Sequence, residues 1–105
     1  MENVNIQAYI DEKKKKEKKR RKAYKVILSG VNQEITESLE LTNTILIPIP
    51  SIMLEVEDYN PLEALEYIID KLCKNKQFIQ IVDEIKIIQP CTLYIKWDLD
   101  KLTKK

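Results

Sequence analysis

AYKVILSGVNQEITESLEL, residues 23–41, decides how the fold is read, because a charged leader gives way there to an alternating apolar pattern. Tyr24, Val26 and Leu28 share one parity and Lys25 and Ile27 the other, the period-two signature of a strand. Ser29-Gly30-Val31-Asn32 is turn chemistry, and Gly30, the only glycine in the chain, takes positive φ without steric cost. Between Gln33 and Leu41, Ile35, Glu37, Leu39 and Leu41 alternate with Glu34, Thr36, Ser38 and Glu40; Ile35 and Leu39 also fit one helical turn, but the alternation favours a half-exposed strand. The expectation is a hairpin that opens a folded domain at residue 23.

Upstream lies the densest charge in the chain. Residues 13–22 read KKKKEKKRRK: Lys13, Lys14, Lys15, Lys16, Lys18, Lys19, Arg20, Arg21 and Lys22 around a single acid, Glu17. The flanking Asp11 and Glu12 suit a helix start, but no apolar stripe is available to dock such a helix, and like charges at i,i+4 oppose it. Residues 1–22 are therefore expected to form a disordered or loosely helical basic arm, residues 23–100 one domain, and residues 101–105 a polar tail.

The net charge of +1 conceals three blocks. Residues 1–25 hold ten bases and four acids (+6), residues 26–70 nine acids and no base (−9), and residues 71–105 eight bases and four acids (+4). Dense like-charge blocks stay solvated, and a basic N-terminal block is a common form of nucleic-acid arm.

Downstream of residue 41, Ile45, Ile47 and Ile49 share one parity while Ile52, Leu54 and Val56 fall on the other. Pro48 and Pro50 lie at the crossover, which implies an edge strand, a bulge or a turn between two short strands. Asn60-Pro61-Leu62-Glu63 is a helix start, with Asn60 as N-cap, Pro61 at the first helical position and Glu63 as the capping-box residue. Leu62, Leu65, Ile68, Ile69 and Leu72 supply its apolar stripe. Asn75-Lys76 ends or kinks that helix, and Phe78, Ile81, Val82 and Ile85 suit a second, shorter one. Ile85, Ile87, Cys91, Leu93, Ile95, Trp97 and Leu99 then keep one parity, giving a long strand with Pro90 at an edge or break. The element order is that of a small α+β domain, a mostly antiparallel sheet with one or two helices on one face.

Composition narrows the function classes. The chain has no histidine, hence no ordinary imidazole base, and one glycine, hence no glycine-rich phosphate loop. Cys73 and Cys91, eighteen residues apart with no histidine, are too few for a zinc site, and are expected as buried thiols in a reducing compartment. No apolar run reaches the length of a membrane span. Sixteen isoleucines and sixteen lysines fit an AT-rich coding genome of the kind found in archaea, their viruses and low-GC bacteria.

The leading expectation is a non-enzymatic accessory protein, without cofactor or metal, that binds nucleic acid or a nucleoprotein non-specifically through the arm. Lys25, Tyr94 and Lys96 are secondary contacts on the folded part. The alternative is a protein-interaction or inhibitor module, as of a virus or mobile element, acting through acidic residues 34–70 with Glu55, Glu57, Asp58, Glu63, Glu66 and Asp70 foremost. The basic arm of the same or a neighbouring subunit is a third occupant for that surface. Self-association through a sheet edge, and a cytoplasmic location, nuclear in a eukaryotic host, complete the expectations.

Overall fold

The computed structural model describes residues 5–102, so parts of both termini named above lie outside it. Its elements are α1 (Ile6–Ser38), β1 (Thr44–Pro48), α2 (Pro61–Cys73), α3 (Lys76–Ile81), β2 (Val82–Ile88), β3 (Thr92–Trp97) and a 3₁₀ turn (Leu99–Leu102). The sheet is antiparallel in the order β1-β3-β2, with the helices on one face, the expected small α+β architecture.

The expected opening hairpin is not there. Residues 23–38 continue a single helix that begins at Ile6, capped by Asn5, whose Oδ1 accepts from Ala8 N at 2.9 Å. Tyr24, Val31 and Ile35 are buried and Ile27, Leu28 and Leu39 pack beside them. Their spacing of three, four and seven outweighs the period-two alternation because it is sustained over four turns. Gly30 takes no positive φ and makes no turn.

Gly30 is exposed, and a Cβ added there meets nothing within 4 Å. Glycine in a helix interior costs about 1 kcal/mol relative to alanine. Gly30→Ala is therefore expected to raise stability by about 1 kcal/mol, read as a higher midpoint in urea at unchanged slope.

The arm differs from expectation for a related reason. An isolated segment must nucleate its own helix, whereas residues 6–22 extend one already nucleated by the docked residues 23–38, and lysine, arginine and glutamate propagate it readily. At 1.5 Å per residue α1 is about 50 Å long. Its N-terminal half projects beyond the sheet, and the molecule measures 71 × 27 × 19 Å. The radius of gyration, 18.0 Å, exceeds the roughly 13 Å of a compact chain this long.

Around the sheet the sequence expectations hold more closely. β1 is an edge strand and Pro48 is its last residue. Ile47 and Ile49 point inward, while Ile52 and Leu54 are exposed in an irregular loop instead of forming a second short strand. The parity run after Ile85 is a hairpin, broken at Gln89-Pro90, and the strand begins at Val82, where α3 ends one turn earlier than expected. Leu93, Ile95 and Trp97 of β3 are buried against Leu65 and Ile68 of α2 and Val31 of α1. On α2, Ala64 joins the buried stripe in place of Leu62, which is half exposed. Cys91 is buried, with its Sγ 3.3 Å from Ile49 O, but Cys73 is exposed and not the buried thiol expected; both are free.

Candidate nucleic-acid interface

Because α1 is one rigid rotor, its bases sort by angle. At 100° per residue, Lys15, Lys18, Lys19, Lys22 and Lys25 recur at i, i+3, i+4, i+7 and i+10 and share the face turned away from Tyr24, Val31 and Ile35. All five are exposed and none has an ion pair among the described residues. Lys14 and Arg21 flank this stripe, also exposed. Lys13 lies on the other side, ahead of the domain.

Lys16 and Arg20 turn toward the domain and meet acids. Lys16 Nζ is 2.9 Å from Glu57 Oε2, and Arg20 Nε is 3.1 Å from Glu63 Oε1. The same Glu63 oxygen accepts from Tyr24 Oη at 3.1 Å. Glu63 thus braces α1 against the start of α2; Asn60 alone caps α2, its Oδ1 accepting from Leu62 N at 2.9 Å and Glu63 N at 3.3 Å.

A compact loop positions Glu57. Tyr59 Oη donates to Pro50 O at 2.6 Å and closes residues 50–59 at the neck, and Asp58 makes the internal reversal at φ 61°. Tyr24 sits 5.9 Å from both Tyr59 and Tyr67, centroid to centroid, so one ring cluster joins α1, the loop and α2. A groove of about 810 Å³ beside the loop is lined by all five stripe lysines together with Glu55 and Glu57, so the acidic loop borders the stripe. The alternation that sets Tyr24 on a strand conceals this cluster in the sequence; the spacing of Tyr24 to Val31 and Ile35 is the signal that reveals it.

Burial is the main reason that the phenols of Tyr24 and Tyr59 ionise above the ordinary tyrosine range, and Glu63 adds to it at Tyr24. The Lys16 ammonium is held above its usual value first by the hydrogen bond to Glu57 and then by that carboxylate's charge. Raised values in the folded state contribute stability that is complete below the unfolded values and is lost as pH climbs through the folded ones. Stability is therefore expected to hold up to about pH 10 and fall above it, and Tyr24→Phe to make the fall shallower, as read by thermal melts between pH 8 and 12.

The acidic candidates do not act together. Glu57 and Glu63 face α1 and Asp70 pairs with Lys74 at 3.0 Å, while Glu55, Asp58 and Glu66 have no ion pair among the described residues. Tyr94 and Lys96 lie on the outer face of β3, the opposite side of the sheet from the helices, and so apart from the stripe. Lys86 Nζ stands 4.8 Å from the Tyr94 ring centroid and covers it as a stacking surface. Among the described residues no group of three or more acids or cysteines is arranged to hold a metal, and no helix is long and apolar enough to cross a membrane.

Searches of curated proteins and of solved structures find no match. One family model does match, over residues 4–73, which takes in α1 with its basic stripe, β1, the acidic loop and α2, and stops where α2 ends. That is two thirds of the chain, and the protein belongs to the Family of unknown function (DUF5759).

Proposed function

We propose that the protein is a non-enzymatic accessory factor that binds nucleic acid, alone or within a nucleoprotein, along the outward face of α1. One observation carries this reading: Lys15, Lys18, Lys19, Lys22 and Lys25 form a continuous exposed stripe on the face of α1 turned away from Tyr24, Val31 and Ile35, with no ion pair among the described residues, while the neighbouring Lys16 and Arg20 are occupied by Glu57 and Glu63. Lysines on such a rod displace the counterions condensed on phosphates, a gain that is independent of sequence and steep in salt. A helix about 10–12 Å across also matches the width of the duplex major groove, about 12 Å. The stripe contains no Asn, Gln or aromatic side chain that reads a base edge, so affinity is expected without sequence preference.

An acidic surface recruiting a basic protein is the weaker reading, since half of its six leading carboxylates are already engaged within the chain. Action inside the cell, in the nucleus for a eukaryotic host, fits two free cysteines and a polyanionic ligand. The sheet's two free edges offer a route to self-association. Fluorescence anisotropy with two unrelated labelled duplexes tests the proposal: equal binding of both at about 10⁻⁶ to 10⁻⁴ M supports it, and no binding to either at low salt refutes it.

A further inference from the structure

The two edge strands offer different things to a partner. β1 is five residues long and ends in a proline, which cannot donate to a ladder. β2 is seven residues long; Val82 at its start donates its N–H to Phe78 O of α3, and from Asp83 to Ile88 no backbone hydrogen bond beyond the β3 ladder is made among the described residues. Its inward side chains Ile85 and Ile87 are only partly buried, whereas Leu93 and Ile95 beside them on β3 are fully buried. The core therefore runs out at this edge.

On the outer face of β2, Glu84 and Lys86 stand two residues apart with opposite charge. We propose that β2 pairs antiparallel with β2 of a second copy, in the register that sets Ile85 opposite Ile85. In that register Glu84 of each copy lies opposite Lys86 of the other, giving two cross-strand ion pairs related by a two-fold axis. Centring the ladder on Lys86 would set two lysines against each other, and centring it on Glu84 two glutamates. Charges on an edge strand ordinarily oppose pairing; these are ordered so that one register is favoured and its neighbours are not. In the single chain Lys86 pairs with its own Glu84 at 3.6 Å and lies over the Tyr94 ring; half exposed, it exchanges the intrachain carboxylate for the Glu84 of the second copy.

The two-fold axis runs perpendicular to the sheet, so a six-stranded sheet results with both helical layers on one side. The irregularity between Val82 and Glu84 keeps the ladder short, which makes this a weak dimer. Given the phosphate-binding role proposed for α1, two such rods on one side would engage a single polyanion bivalently.

Sedimentation equilibrium of the full chain without nucleic acid, from about 10 µM to about 1 mM, tests the pairing. The mass is expected to rise from 12.4 kDa toward twice that value. Glu84→Lys alone and Lys86→Glu alone each set like charges opposite one another and are expected to give monomers, while E84K/K86E restores the dimer. The register has its own test in a Cys73→Ser background. Facing Cα atoms of an antiparallel pair lie about 4.5–5.5 Å apart, within disulfide reach. Ile85→Cys is thus expected to cross-link on mild oxidation, and Lys86→Cys, two residues out of alignment with its copy, is not. A monomer at every concentration, a dimer indifferent to both single reversals, or stronger linking through Lys86→Cys would overturn the proposal. With no nucleic acid in the cell, its failure is separate from any failure of phosphate binding.

Discussion

Trp97→Ala is expected to cost about 4 kcal/mol of folding free energy, within the range for truncating a fully buried aromatic residue. Trp97 is 1 % exposed and ends the central strand of the sheet, where it pairs with Val82. Its Nε1 donates to Leu39 O at 3.3 Å, satisfying a carbonyl at the C-terminus of α1 that has no partner within the helix. The substitution removes volume from the core and also releases the helix from the sheet at the end remote from the Tyr24 cluster. For a domain of this size, stable by about 5–15 kcal/mol, a loss of 4 kcal/mol is a substantial part of the total. Urea titration followed by circular dichroism measures it, and Trp97→Phe, which keeps part of the ring but not the donor, is expected to lose about half as much.

The second large effect is on binding. K15Q/K18Q/K22Q/K25Q removes four of the five stripe bases and keeps good helix formers in their places. With each phosphate contact contributing a salt slope of about 0.9, loss of four lowers duplex affinity roughly 10³-fold at 0.1 M salt, below detection for a micromolar binder. K16Q/R20Q, which removes bases already engaged by Glu57 and Glu63, is expected to weaken binding much less. Circular dichroism of both variants should retain the wild-type helix signal, which separates lost contacts from a lost rod.

The α+β class, the Asn60 cap, the break at Pro90 and the inward parity of Cys91, Leu93, Ile95 and Trp97 were all legible, because each rests on local chemistry or on a pattern with a single reading. The first third of the chain was not. Between residues 23 and 41 a period of two and a period of three to four coexist, since Tyr24 and Leu28 satisfy both, and Gly30 tipped the balance toward a turn. The three-to-four spacing, carried on through Val31, Ile35 and Leu39, decides for the helix, and the burial of Val31 and Ile35 secures it.

The same misreading hid the site. Residues 13–22 were legible as a basic block, yet as a flexible arm they carried no face. Once they continue a docked helix, Lys16 and Arg20 are assigned inward and Lys15, Lys18, Lys19, Lys22 and Lys25 outward by geometry alone. Lys25, sited on a strand by the alternation, belongs to the same rod. Tyr94 and Lys96 were correctly placed on an outward face, but on the far side of the sheet. The acidic middle was conspicuous in composition, whereas its use by the chain's own bases depends on the loop closed by Tyr59 and Pro50.

The central claim is that the outward stripe of α1 makes the phosphate contacts. Its most direct test is the dependence of duplex affinity on salt, measured by anisotropy from about 25 to about 300 mM for the wild type and for K15Q/K18Q/K22Q/K25Q. Five contacts predict a log–log slope of about −4 to −5 for the wild type, falling to about −1 in the variant. A variant that keeps the wild-type slope would contradict the account, because the contacts would then lie elsewhere on the molecule.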